Sequence, residues 1–311
     1  MKDWFRSLNM KVILAFAAVY LIWGTTYLAI KIGLEDMPPF LMAACRYLLG
    51  GTVLLGLCLI RKQRPFEQSV WQNMLLGAIM LTLGQGTLFW AELHISSGLT
   101  AVLVSTLPIC YIIVDKRNWK GYFHSKLTIF SILLGLIGIL MLFKDQITGH
   151  SVGSTMTVIA SLVVLSSCLS WALGSIYYKN NSTPDRLFPD VALQLLGGSI
   201  ACLLVSFIAD PIAEFSFKEV SFQTWGAISY LAIAGSVVAF TSSYYLLSVR
   251  PPAVVGTYAY VNPIIAVLLG VLVANEVISL SQVFGIAIIL VAAYLSNRVK
   301  LQSKKPYVEF K

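Results

Sequence analysis

Charge is scarce in this chain: Asp, Glu, Lys and Arg make up 12% of its 311 residues, 58% are hydrophobic, and the mean hydropathy is +0.80. A water-soluble domain of this size needs more polar surface than that, so the bilayer is the expected solvent. Histidine is equally thin, with three in all, and Cys45, Cys58, Cys110, Cys168 and Cys202 lie in apolar stretches with no CxxC pair among them. Structural zinc and disulfides are therefore not expected, and the cysteines read as packing residues. There is no P-loop, paired-His helix motif, Ser-His-Asp set or carboxylate cluster, and His124 and His150 stand alone in loops. Neither an enzyme nor a resident metal or cofactor is expected on that basis. Gly84-Gln-Gly86 is half a nucleotide fingerprint inside an apolar stretch, without the strand-helix unit that would give it meaning.

What the chain does have is ten apolar runs of membrane-spanning length: Val12 to Leu34, Phe40 to Ile60, Asn73 to Ile95, Ser97 to Val114, Leu127 to Phe143, Thr155 to Tyr178, Phe188 to Ala209, Thr224 to Leu247, Pro252 to Ala274 and Leu280 to Asn297. The first is too long for a secretory leader and lacks a small-x-small cleavage site. Of the 22 Lys and Arg residues, Lys31 and Arg46 fall inside spans and only Lys144 and Lys218 in connections on the second side; all others share the side of the N-terminus. Cytoplasmic loops collect Lys and Arg, so both termini are expected in the cytoplasm of a multi-pass inner-membrane protein. The net charge of +8 is spread over these loops and the tail and forms no single patch, so nucleic acid is not an expected partner, whereas lipid headgroups are. A homodimer stays open.

An internal repeat divides the membrane part. Trp23 and Lys31 correspond to Trp171 and Lys179, Leu48-Leu-Gly-Gly51 to Leu195-Leu-Gly-Gly198, Pro108-Ile109 to Pro263-Ile264, and Phe130 to Phe284, always in the same order. Residues 1–150 and 151–300 form the two repeats and residues 301–311 a basic tail. Five helices per repeat is an odd number, so the copies are inverted. The expected fold is therefore all-α, ten transmembrane helices as two inverted five-helix repeats around a central cavity.

The residues that carry a family likeness are Tyr20-Leu-Ile-Trp-Gly-Thr-Thr-Tyr-Leu-Ala-Ile-Lys31, Cys45-Arg-Tyr-Leu-Leu-Gly-Gly51, Thr257-Tyr-Ala-Tyr-Val-Asn-Pro263 and Asn275-Glu276. Together they resemble the EamA-type family of the drug/metabolite transporter superfamily, over nearly the whole chain. Ala91-Glu-Leu-His-Ile-Ser-Ser-Gly98, followed by Thr106-Leu-Pro108, is similar to its inner-membrane exporter branch. The resemblance implies a secondary carrier that exports amino acids, other metabolites or drugs by alternating access. A sugar-phosphate or nucleotide-sugar exchanger is the competitor within transport, and an integral-membrane lipid enzyme the competitor outside it. The chain departs from the family pattern at Val114-Asp-Lys116, where a Gly-Glu pair often closes the first repeat.

Helical spacing puts Trp23, Tyr27 and Lys31 on one face of the first span, and Ser167, Trp171, Ser175 and Tyr178 or Lys179 on one face of the sixth. These stripes either line a cavity that grips an amphipathic solute or pack as ordinary helix contacts. Lys31 can also snorkel to the nearer surface. Arg46, deep in the second span, reads as a fork for a substrate carboxylate or as a structural partner of Glu92 or of helix-end carbonyls. Glu92 and His94 are candidates for proton coupling, with a purely structural role for Glu92 as the alternative. Pro108 and Pro263 are candidate hinges, and Tyr258 and Asn262 candidate substrate contacts beside the latter. Reporter fusions check the topology: tags at the two ends of the chain are expected on the same, cytoplasmic, face, and tags on opposite faces would refute an even number of spans.

Overall fold

The computed structural model describes residues 10–67, 69–95, 100, 103–142, 144, 155–274 and 280–297. Gly98, Asn275, Glu276, His150, Phe143, the first residues of the fourth expected span and the 301–311 tail lie outside the described residues. All the regular structure described is helical. In hydrocarbon a backbone N–H or C=O has no water to turn to, and a helix pairs both within itself.

The chain runs α1 (Met10–Gly33), α2 (Pro39–Ile60), α3 (Val70–Ala91), α4 (Leu107–Val114), α5 (Trp119–His124), α6 (Lys126–Leu142), α7 (Thr155–Asn181), α8 (Leu187–Ala209), α9 (Phe222–Val249), α10 (Pro252–Val255), α11 (Tyr258–Ala274) and α12 (Leu280–Asn297). Six of these, α1, α2, α3, α7, α8 and α9, are long and apolar enough to cross a membrane, and a bent pair covering Lys116–His124 and Lys126–Met141 makes a seventh if taken as one span. Their outward faces carry Leu14, Leu21, Leu59, Leu204, Phe207 and Ile208, all exposed and apolar, as lipid contact requires.

The expected spans differ in detail from the helices. The third stops at Ala91 and not at Ile95, because the chain turns through Glu92 to His94. The ninth is split, with α10 and α11 separated at Gly256 and Thr257. The fifth is preceded by an elbow of 91° that sets the basic, aromatic α5 across α6. Before the elbow, Asp115 ties the start of α5 to the end of α4 by accepting from Asn118 Nδ2 at 2.9 Å and from the Tyr122 hydroxyl at 2.8 Å.

One end of the bundle carries the connections with Arg61, Lys62, Arg64, Lys116, Arg117, Lys120, Arg186 and Arg250; the other carries Glu35, Asp36, Asp210, Glu214 and Glu219. These are the basic and acidic ends below. Packing is densest where α8 lies along α2 and α3, and where α12 lies along α6. Glycine makes the α3–α8 contact backbone on backbone: a Cβ on Gly77 would sit 1.9 Å from the Gln194 carbonyl oxygen, and one on Gly197 2.1 Å from that of Met74. Small residues at such crossings are the usual means of close helix approach in a membrane. Gly77→Ala is therefore expected to force α3 off α8 at a cost of about 2–3 kcal/mol. A thermal melt in detergent checks this against Gly56→Ala, where no atom lies within 4 Å and no loss is expected.

Candidate functional site

Between the two halves lies a cavity of about 720 Å³, its open mouth included, lined from α1, α2, α3, α4, α7, α8, α9 and α11. Two irregular helix turns shape it. Residues Thr82–Gly86 of α3 and Leu231–Phe240 of α9 wind as π-helix. A π turn inserts an extra residue and redirects the groups beside it, and such turns are frequent at functional sites. Here they occupy the third long helix of each half, and each presents a glycine to the cavity, Gly84 and Gly235.

The tryptophans pack on these glycines. Trp23 donates its indole N–H to the Gly235 carbonyl at 3.0 Å, while the Trp171 ring lies across Gly84, with Cε3 3.6 Å from where a Cβ would stand. The two indoles meet edge to face at 5.7 Å, Tyr258 meets Trp23 at 4.6 Å, and Phe240 meets Trp171 at 5.5 Å. The ring contacts then continue towards the basic end through Tyr244, 4.6 Å from Phe240, to Tyr178, stacked on Tyr244 at 3.9 Å. A polar chain takes over there. The Tyr244 hydroxyl donates to Gln194 Oε1 at 2.7 Å, Gln194 Nε2 to Asn73 Oδ1 at 3.0 Å, Asn73 Nδ2 to Asp190 Oδ1 at 3.0 Å, and Arg186 Nε to the same oxygen at 3.2 Å. Rings and amides thus floor the cavity on its basic side, and its lining reaches towards the acidic end at Tyr27, Ile30, Leu88 and Val104.

Arg46 supplies the formal positive charge of the lining and is 5% exposed. Its Nε donates to Ser236 Oγ at 2.9 Å. The guanidinium lies over the rings of Tyr47 and Phe89, 5.4 and 5.8 Å from their centroids, a cation–π setting that offsets part of its desolvation. Nη1 has no hydrogen-bond partner, and Arg46 and Glu92 form no ion pair.

Of the residues singled out in the sequence, Trp23, Tyr27, Arg46, Trp171, Tyr258 and Asn262 line this cavity together. The Asn262 amide nitrogen donates to the carbonyls of Tyr258 at 2.9 Å and Tyr20 at 3.3 Å. Ser175 lies behind the lining, where it accepts from the Tyr111 hydroxyl at 3.2 Å. Lys31 is exposed near the end of α1, and Lys179 sits at the basic end, donating to the Arg250 carbonyl at 2.9 Å. Glu92 and His94 lie in the turn after α3, outside the lining, with the exposed imidazole edge-on to Trp90 at 4.6 Å. Pro108 falls in the first turn of α4, and Pro263 lies inside α11. Sequence reasoning missed Gly235, Ser236, Phe240 and Tyr47. The pairing of Gly84 with Gly86 is the one local hint of a π turn in α3, and the π-helical stretch of α9 offers only Gly235 among small apolar residues.

The acidic end is tied across the halves by carboxylates at helix starts. Asp210 accepts from Leu41 N at 2.9 Å, at the beginning of α2, and Asp36 accepts from Ser221 N at 3.0 Å and Thr224 Oγ1 at 2.7 Å, at the beginning of α9. Negative charge is favourable there, since the first amides of a helix have no internal acceptor.

The profile of the EamA-like transporter family matches residues 10–144 and again 158–298. The uncharacterized inner membrane transporter YedA of Escherichia coli (strain K12) is 33% identical over 94% of this chain and 93% of its own. The uncharacterized transporter YoaV of Bacillus subtilis (strain 168) is 24% identical over 93% of this chain and 97% of its own, and protein PecM of Dickeya dadantii (strain 3937) 23% identical over 93% of each. One solved structure, described as a crystal structure of protein, superposes with a TM-score of 0.77 at 19% identity, over 93% of this chain and 97% of its own, which shows a shared fold.

The tie at Asp36 makes a pH prediction. Hydrogen bonds from the Ser221 and Thr224 side chains, then from the Ser221 amide, hold its carboxyl below the ordinary aspartate value. A depressed native value means that the contribution is complete above the unfolded value, about pH 4, and disappears as pH falls through the lower, native one. Asp36→Ala is expected to melt below the parent protein by a constant margin at pH 5 and above. Melts taken at successively lower pH should show the two curves converging below the ordinary aspartate range; a margin unchanged in acid would dismiss the carboxylate as its source.

Proposed function

The chain belongs to the EamA-like transporter family, and on that premise we propose that it is a secondary active carrier which exports small organic solutes by alternating access. It is a multi-pass inner-membrane protein, and its family points to a transporter and not to an enzyme. The proposed topology is ten spans in two inverted EamA-like repeats, with the basic end and both termini in the cytoplasm. The observation that carries the reading is the mid-depth cavity itself, built from both halves, floored by rings towards the basic end and lined towards the acidic end. A solute site at the interface of two repeats is where a rocking motion exposes it first to one side and then to the other.

Six residues expected to touch a solute stand around this cavity, four of them aromatic with a polar handle: Trp23, Tyr27, Trp171 and Tyr258. Such rings bind apolar bodies while offering donors at their edges. The exchanger of sugar phosphates needs at least two cations for a phosphate dianion, and the described lining supplies Arg46, with Lys31 and Lys179 placed elsewhere.

Thiol labelling tests the two-sided access. In a background with the five cysteines replaced, Ile30→Cys is expected to react with a membrane-impermeant maleimide added at the acidic end, and Tyr178→Cys at the basic end only after a transported solute is supplied. Labelling of Tyr178→Cys that never responds to any solute, in vesicles that also show no counterflow, would refute alternating access.

A further inference from the structure

The cavity is electrically lopsided. Its lining carries the Arg46 guanidinium and, among the described lining residues, no Asp or Glu. Two buried lining side chains also hold polar hydrogens without an acceptor: Arg46 Nη1 and the Tyr47 hydroxyl, on residues 5% and 1% exposed. A buried donor left unpaired costs about 1–3 kcal/mol, and more when it is charged. Their excess of donors asks for a solute rich in acceptors.

The guanidinium is also oriented. Its Nε is fixed by Ser236 Oγ, the Tyr47 and Phe89 rings stand against it, and its Nη1 edge donates to no protein acceptor. A planar carboxylate meets such an edge with charge-assisted hydrogen bonds. Four rings, those of Trp23, Trp171, Phe240 and Tyr258, stand in the same lining, with Gln85 and Asn262 as its amides, so a flat apolar body fits behind the carboxylate.

Resting on the reading of this cavity as the transport site, we propose that its substrate class is the aromatic monocarboxylates: one carboxylate on Arg46, one ring among the tryptophans, and no ammonium. An amine would face the guanidinium with no carboxylate among the described lining residues to receive it. A zwitterion would leave its ammonium desolvated beside a like charge, which costs several kcal/mol. A dianion would keep one negative charge uncompensated. The single positive charge therefore selects by count as well as by sign.

The test is equilibrium binding of radiolabelled phenylpropionate to the purified full-length protein in nanodiscs, with competition by unlabelled phenylpropionate, phenylpropylamine and phenylalanine, three solutes with the same ring. Phenylpropionate is expected to compete at concentrations about tenfold to a hundredfold below either of the others, the worth of one hydrogen-bonded charge pair. Arg46→Gln is expected to lose that preference, and where the variant does not fold, the ranking of the three solutes on the parent protein decides alone. Equal competition by all three, preference for the amine or the zwitterion, or no binding of phenylpropionate would overturn the inference. Because the labelling and counterflow measurements are run with solutes of other classes as well, a transporter with another substrate is told apart from a protein that does not alternate.

Discussion

A guanidinium held deep in the bundle, with no carboxylate paired to it among the described residues, is the constraint around which the centre is built. Bringing a charge that far from water costs several kcal/mol even after relaxation, and the protein meets it with dipoles and ring faces. Ser236 Oγ accepts from Nε, and the Tyr47 and Phe89 rings stand against the guanidinium. Ser236 occupies that position within the π-helical stretch of α9, where its hydroxyl also donates to the Leu231 carbonyl five residues back at 3.2 Å. The neighbouring residue has to be small. A Cβ on Gly235 would stand 3.1 Å from Arg46 Nη2 and 3.3 Å from Thr26 Cγ2. One glycine thus permits the approach of α1, α2 and α9, and the π turn beside it supplies the acceptor that Arg46 uses.

Corresponding elements of the two halves repeat this arrangement with one difference. Trp23 of α1 packs on the π-segment glycine of α9, and Trp171 of α7 on that of α3. In the first pair the indole N–H reaches the glycine's own carbonyl; in the second it does not. Duplication accounts for the shared shape, and divergence within that shape for the polarity. Arg46 has a leucine, Leu193, at the equivalent place in α8 when the Leu-Leu-Gly-Gly stretches are aligned. The cavity therefore has near two-fold walls and a one-sided charge.

Much of this was legible in the sequence, because a bilayer leaves few options. Apolar runs of spanning length and their basic connections give the helices and their alternation directly. The Trp23 and Trp171 stripes were visible at helical spacing, as was the depth of Arg46. What stayed hidden depends on departures from that spacing. A π turn shifts the register by a residue, so a period of 3.6 carried through Leu231–Phe240 does not bring Ser236 and Phe240 to the cavity face. Lys179 sits only two turns beyond Trp171 on its face, yet by then α7 has reached the basic end, where the lysine meets the Arg250 carbonyl. The tie at the start of α5 was equally illegible: Asp115 joins residues whose roles become evident only once Tyr122 is turned inward.

The same contacts bear on where the proposed motion divides the molecule. Opening the basic end requires the ring column or the amide chain beneath it to part. The amide chain joins α3 to α8, and there Gly77 and Gly197 bring the backbones into contact, so Asn73, Asp190 and Gln194 travel as one body. Tyr244 is bonded to that body through Gln194. Tyr178, on α7, meets Tyr244 through stacked ring faces, and stacked faces slide at less cost than a buried amide pair separates. The carboxylate ties at the acidic end join α2 to α8 and the start of α9 to the end of α1, which leaves α1, α2, α8 and α9 clamped on one side of the cavity. The surface of least resistance then runs between α7 and α9, past the two tryptophans, and a solute lodged against those rings lies on the seam that has to open.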